Sequence, residues 1–476
     1  MIGQIALVGA GLGDPELLTV KGLRKIKEAD VVVYDRLINP AILNACKADC
    51  EKIYVGKKPN YHPVPQEKIE EIMIEKAQQG LNVVRLKSGD PYVFGRGGEE
   101  GASLKHAGIT FEVIPGITSS IGGLAYAGIP ITHRDLAASF HVYTGHLNNS
   151  DQEVDWAIAA KAEGTLVFLM GMSSLEKITE QLILYGKDKD TPAAIIQWAS
   201  RKQQKTVVGT LETIFEKARA AELQPPSLIV IGDVVARRTD LNFFEERPLF
   251  AISIAIPYTK KKKMASRLTD LGAEIIELPP SSNQIFAGKI NFSTPQQVVF
   301  TDPASIDIFI QSMTENRIDW RKLANWRFIT VGHHTGGVLK KSGIQADADY
   351  PDLAHCLRDF TITSDTLFIG DSSMIDTLEE QSIAGEKVLS HEEKIIAEIP
   401  DLWQQTDCMY FPNSKSARLF LAALTDMELT VLKQKKIIVM GQKTKEVFEQ
   451  LQISVIQTKE PSYESVVEKI KEEMNR

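Results

Sequence analysis

Four glycine-bearing loops in the first half of the chain gather residues that can bind and move charge. The densest is RLKSGDPYVFGRGGEE, residues 85–100. Gly89, Gly95, Gly97 and Gly98 allow close approach to the backbone, while Lys87, Arg96, Asp90 and Glu99 supply charge of both signs. A plain connection seldom needs so many special residues, so this loop reads as a binding site. The first loop, GAGLGDP (residues 9–15), has some of the look of a dinucleotide fingerprint, with Asp30 or Asp35 downstream. Asp14 interrupts the spacing that GxGxxG requires, which makes that reading weak. The third loop is PGITSS (115–120). The fourth is GIPITHR (128–134), where His133 and Arg134 form either a pocket wall or ordinary surface.

Short apolar runs precede these loops and must position them. IALVG (5–9), VVVYD (31–35), VVRL (83–86) and FEVIP (111–115) read as buried strands ended by Gly, Asp or Pro. Apolar residues at helical spacing over 15–29 and 66–79 predict helices between them. The pattern resumes with TLVFLM (165–170), AAIIQW (193–198) and SLIVIG (227–232). Two α/β subdomains joined near 115–120 follow, with ligand-binding loops at the carboxyl ends of strands.

Composition narrows the function classes. The chain has 476 residues, 43% hydrophobic and 24% charged, an ordinary globular balance with room for two to four domains. A formal net charge of −8 argues against a general nucleic-acid binder, though a local basic pocket for an anion remains open. Cys46, Cys50, Cys356 and Cys408 make no CxxC pair, so a reducing cytoplasm is expected and no metal site is read. No run reaches the roughly 18 apolar residues of a membrane helix, and MIGQIALVGAG has no basic leader. A soluble cytoplasmic protein with no membrane or nucleic-acid partner is the expectation.

The motifs VGAGLGDPELLT, ADVVVYDRL, VGKK, VVRLKSGDPYVFGRGGEE, VIPGITSS, AGIPITHR, YTGH, FLMGM and LIVIGDVV occur in order. On these, residues 1–245 closely resemble the uroporphyrinogen-III C-methyltransferases. The resemblance implies a two-subdomain α/β fold that binds S-adenosylmethionine in its cleft. It implies methylation of uroporphyrinogen III at two pyrrole carbons, giving precorrin-2 (for sirohaem and cobalamin) and S-adenosylhomocysteine, and a homodimer formed through this domain. Leu12, Ser88, Gly89, Asp90, Val93, Thr118, Ser119, Met170, Ala199 and Ser227 match its cofactor contacts. Arg96 and Arg134 match substrate-carboxylate positions, with Glu99 beside them, and planar guanidinium groups suit that task. Asp35, Lys57 and Arg96 match acid–base positions. Arginine stays protonated, so Arg96 reads first as a carboxylate clamp with a base role left open, and Asp35 reads alternatively as a turn cap. Leu12, Ser88 and Ser227 replace the family's usual Pro, Gly and Ala.

A boundary falls near LNFFEERPL (241–249), and an internal pseudo-repeat follows it. VVFTDPASIDIF (298–309) with ITVGHHT (329–335) is echoed by MYFPNSKSARLF (409–420) with IVMGQKT (438–444). Each copy is strand, polar turn, helix, then strand, Gly-x-x-Thr and helix. The Thr reads as a helix cap, or as part of a carboxylate site. Duplication implies two lobes and a cleft. Residues 249–476 resemble the uroporphyrinogen-III synthases, which implies closure of hydroxymethylbilane with loss of water. Thr301 and Thr335 are then substrate-binding candidates. Asp302, the FPN turn at 411–413, and His391 in place of a usual tyrosine depart from that family's pattern. The alternative is a methyltransferase carrying a degenerate second half. A dinucleotide-binding sensor built on the first loop is the reading from another class.

Overall fold

Every residue of β1 (Ile5–Gly9) is buried, as expected for a central parallel strand covered on both faces. The computed structural model describes residues 2–56, 64–145, 154–286, 290–293, 296–395 and 401–474. β1 lies in a parallel sheet with β2 (Val31–Tyr34), β3 (Glu51–Tyr54), β4 (Val83–Lys87) and β5 (Phe111–Ile114), in the order β3-β2-β4-β1-β5. Helix α1 (Val20–Glu28) covers one face, while α2 (Gln66–Gln78) and α3 (Gly97–His106) cover the other. The single helix expected over 15–29 is two elements. Asp14 caps a short turn at Pro15–Leu17, and Thr19 starts a new helix by accepting from Gly22 N–H at 3.1 Å. Two caps five residues apart reset the chain direction.

A second sheet has the order β6-β7-β10-β8-β9, built from β6 (Phe140–Thr144), β7 (Thr165–Leu169), β8 (Pro192–Gln197), β9 (Lys205–Thr210) and β10 (Ser227–Ile231). Only β6 and β7 run parallel. Helix α4 (Ser119–Tyr126) joins the two sheets, burying Leu124 and Ala127 against Val167, Leu228 and Val230.

The second half folds as two further sheets. The strands are β11 (Ser253–Ile256), β12 (Glu274–Glu277), β13 (Ser281–Ile285), β14 (Gln297–Phe300), β15 (Arg327–Val331), β16 (Ala348–Tyr350), β17 (Thr366–Asp371), β18 (Glu386–Ile395), β19 (Cys408–Phe411), β20 (Lys436–Val439) and β21 (Ile456–Gln457). One sheet is ordered β12-β11-β19-β20-β21, the other β13-β18-β17-β14-β15-β16. The chain therefore leaves the first sheet after β12, builds the whole second sheet, and returns at β19. The pseudo-repeat contributes one copy to each. Its polar turns are equivalent helix caps: Asp302 accepts from Ser305 N–H at 3.0 Å, and Asn413 accepts from Ser416 N–H at 2.9 Å. Among the described residues no helix is long and apolar enough to cross a membrane. The fold is α/β throughout.

Candidate active site

Three glycines bring the loops after β1, β4 and β5 into backbone contact. A Cβ on Gly116 would lie 2.2 Å from Gly89 O, and one on Gly9 would lie 2.5 Å from Gly116 Cα, so no side chain fits at either position. Gly11 N–H donates to Gly89 O at 3.2 Å, and Gly89 N–H returns a bond to Gly11 O at 2.6 Å. Asp90 adds the third loop. Its Oδ1 accepts from Tyr92 N–H at 2.8 Å and its Oδ2 from Gly116 N–H at 3.0 Å. Thr118 and Ser119 stand against Gly89 at the N-terminus of α4, where no side chain caps the first turn. Open N–H groups and the positive end of the helix dipole make this an anion-receptive corner. Leu12 lies over Gly122 of the same helix, in tight contact. Val93 is about one-third exposed, on a loop whose Phe94 and Arg96 take left-handed φ values of 53° and 59°.

Met170, Ala199 and Ser227 are neighbours at one end of the three central strands of the second sheet. Leu228 pairs with Leu169 and Ser227 with Gln197, which puts the residues just beyond β7 and β8 on either side of the start of β10. Met170 is 52% exposed and takes φ 56°. Ala199 and Leu228 abut Gly123 of α4, so this end meets the helix that also borders the glycine loops. Ser200, unremarked in the sequence, ties the two subdomains directly: its Oγ accepts from Asp14 N–H at 3.0 Å. Asp14 Oδ2 also accepts a hydrogen bond from the Tyr126 hydroxyl at 2.6 Å, and burial together with this carboxylate raises the phenol pKa.

The charged candidates divide into two groups. Arg96 grips Glu99 through Nε at 3.1 Å and Nη2 at 2.6 Å, and both side chains are more than half exposed. The Glu99 hydrogen bonds raise the guanidinium pKa further, which favours a clamp over a base. Arg134 is exposed on a turn closed by His133 and Ala137. Asp35 Oδ1 accepts from Leu37 N–H at 3.3 Å, so it does cap its turn, while its Oδ2 lies 3.6 Å from Arg85 Nη2. Lys57 lies outside the described residues. Cys46 is a poor metal ligand or nucleophile, because burial pushes its thiol up to about 12.

Beneath Asp35 lies a buried ionic cluster of which motif reading picked out only Lys87. Arg85 and Lys87 on β4 are 4% and 5% exposed, and Glu100 on α3 is fully buried. Glu100 Oε1 accepts from Lys87 Nζ at 2.7 Å, from Arg85 Nε at 3.3 Å and from Gln66 Nε2 at 3.1 Å. Burial, then the Arg85 charge, lowers the Lys87 pKa despite Glu100. A signal for it was present: two cations at alternate positions in an otherwise apolar strand, VVRLK, require a buried counter-charge.

In the second half both threonine candidates are buried. The Thr301 hydroxyl donates to Ile369 O at 3.0 Å, and Thr335 is 2% exposed. Neither helix after a Gly-x-x-Thr turn has a side-chain cap, and Thr335 and Thr444 are both buried. Near Thr301, His391 Nε2 sits 3.6 Å from Asp302 Oδ1. Lys415, on the helix Ser414–Ala422, reaches Glu393 of β18 at 2.6 Å, linking the two lobes. Glu393 also accepts from the Ser281 hydroxyl.

The family Tetrapyrrole (Corrin/Porphyrin) Methylases matches residues 4–214. Porphyrin biosynthesis protein HemD of Ruminiclostridium josui is 33% identical over 496 aligned residues, covering 99% of this chain and 98% of that protein. Uroporphyrinogen-III C-methyltransferase of Bacillus subtilis (strain 168) is 40% identical over 361 residues, 74% of each chain. The crystal structure of the Thermus thermophilus uroporphyrin-III C-methyl transferase complexed with S-adenyl homocysteine is 42% identical. It matches 49% of this chain and 99% of its own, with a TM-score of 0.43. The chain belongs to the uroporphyrinogen-III C-methyltransferase family, and its relative HemD matches it along nearly the whole length.

Proposed function

We propose that the chain makes a macrocycle and then methylates it. Residues 249–476 close hydroxymethylbilane to uroporphyrinogen III. Residues 1–245 transfer methyl groups from S-adenosylmethionine to two of its pyrrole carbons, giving precorrin-2 and S-adenosylhomocysteine. The observation that carries the methyltransferase reading is the three-loop glycine contact at Gly9, Gly89 and Gly116 beside the uncapped start of α4. The residues present suit the donor: backbone donors and open helix N–H groups for its polar parts, and Leu12, Val93 and Met170 for its apolar surface.

When bound, the donor supplies an electrophilic methyl group on a sulfonium. Positioning then does much of the work, and loops locked by backbone bonds hold position well. Arg96 and Arg134 bind substrate carboxylates. Glu99 keeps the Arg96 fork oriented until a substrate carboxylate replaces it, so binding exchanges one ion pair for another. Attack by a pyrrole carbon forms a carbon–carbon bond as the donor's methyl–sulfur bond breaks, and leaves a cationic ring that must lose a proton. Asp35, with its side chain 31% exposed, accepts that proton, and Lys57 is the second acid–base group. The protein works in the cytoplasm, in keeping with its four free cysteines, and the family resemblance supports a homodimer through the first domain.

Two measurements test this. S-adenosylhomocysteine should raise the melting temperature and NAD should not; stabilisation by NAD alone would overturn the methyltransferase reading. Supplied with hydroxymethylbilane and no methyl donor, the chain should enrich the type III over the type I uroporphyrin isomer after oxidation. Type I alone, from protein that still methylates supplied uroporphyrinogen III, would assign the second half a structural role.

A further inference from the structure

We propose that Arg85 is a positioning residue for Asp35, and that Glu100 is the buried counter-charge that fixes Arg85. The inference rests on the reading of Asp35 as the proton acceptor. Strand register brings these groups together. Val33 of β2 pairs with Arg85 of β4, and because side chains alternate, Val31, Val33 and Asp35 share a face with Val83, Arg85 and Lys87. The Arg85 guanidinium is held from several directions: Nε donates to Glu100 Oε1, Nη1 donates to Val33 O at 3.4 Å and Leu86 O at 3.1 Å, and Nη2 faces Asp35 Oδ2 at 3.6 Å. A planar fork bound along one side can point only one way. Asp35, by contrast, stays partly exposed where the strand ends and can reach a substrate.

Stability alone does not account for these charges. Burying ions is costly, and apolar residues of similar volume serve a core at least as well. The rest of this face is apolar: Leu7, Val31, Val33, Val83 and Leu104. Glu100 satisfies Arg85, Lys87 and Gln66 through Oε1 alone, and its Oε2 has no hydrogen-bond partner among the described residues. A group under that strain is explained by what it holds in place. Lys87 neutralises the excess charge and leaves Arg85 free to serve Asp35.

The test uses the full chain and four variants: Asp35→Asn, Arg85→Met, Arg85→Lys and Glu100→Gln. Methyl transfer to uroporphyrinogen III gives kcat and KM, and calorimetry gives the Kd for S-adenosylhomocysteine. Asp35→Asn should be inactive. Arg85→Met should lower kcat roughly 100-fold, as misplacing a catalytic group by about an ångström does, with KM and Kd within about threefold of wild type. Arg85→Lys should recover part of that loss, because charge is kept and the fork is not. Glu100→Gln preserves size and should lower kcat without changing Kd, and it decides the matter if Arg85→Met fails to fold. Asp35→Asn at wild-type kcat would overturn the Asp35 reading and this inference with it. Inactive Asp35→Asn beside folded Arg85→Met or Glu100→Gln at wild-type kcat would overturn the positioning role alone.

Discussion

The carboxylate of Asp90 accepts the backbone N–H of Gly116 at 3.0 Å, so a side chain from the loop after β4 holds the backbone of the loop after β5. Hydrogen bonds to charged groups contribute about 1.5–3 kcal/mol. Asp90→Ala should therefore weaken S-adenosylhomocysteine binding about 10- to 100-fold, read by calorimetry. Unchanged affinity would show that the loops hold their arrangement through glycine contacts alone.

Two glycines in the same region should respond oppositely to alanine. Gly116→Ala places a methyl against Gly89 O and the Gly9 backbone, which cannot yield as a flexible side chain would. It should destabilise the first half by about 1–3 kcal/mol and abolish cofactor binding. Gly98, in the first turn of α3, has open space around its Cβ position, so Gly98→Ala should be neutral or stabilising by up to about 1 kcal/mol. Denaturant titration of both variants reads the contrast.

The two halves meet through the loop between β8 and β9. Arg201 pairs with Glu274 at 2.6 Å, and Lys202 with Asp407 at 3.1 Å. Burial alone would raise the Asp407 pKa, but bonds from the Ser253 N–H and hydroxyl and from Lys202 outweigh it and lower it. A depressed carboxylate pKa contributes stability above the unfolded value of about 3.9 and loses it as pH falls through the folded value. Asp407→Asn should be less stable than wild type at pH 7, and the difference should shrink as pH falls below about 4 and vanish only below the depressed folded-state pKa. Urea titrations across that range check the sign, and a pH-independent difference would remove charge from the explanation.

Phe309 is fully buried among Phe292, Phe300, Trp320 and Trp326, with ring centroids 5.2–6.3 Å away. Phe309→Ala should cost about 3–5 kcal/mol in that lobe. Isomer selectivity should fall while methyl transfer stays within twofold of wild type. Loss of both together would mean that the halves fold as one unit, against a division near residues 245–249.

Much of the architecture was legible in the chain itself. Buried parallel strands are apolar runs closed by Gly, Asp or Pro, so the strands at 5–9, 31–34 and 83–87 stood out, as did the pseudo-repeat, because equal elements need equal patterns. The glycine loops were legible as loops, but Gly9 and Gly116 have no reason of their own to be small until a neighbour presses on them, whereas Gly89 is required by its own φ of 68°. Which neighbour presses was decided by strand order. Placing β1 between β4 and β5 stacks Gly9, Gly89 and Gly116, and placing β4 beside β2 brings Arg85 to Asp35, 50 residues earlier. Thr301 and Thr335 show the opposite case: a polar residue in a good motif carries no mark of which way it faces, and packing turned both inward. Local spacing sets what a segment can form, because periodicity and caps act within a few residues. Pairing across a sheet joins residues tens of positions apart, so only tertiary structure decided which charges met and which hydroxyls were lost to the core.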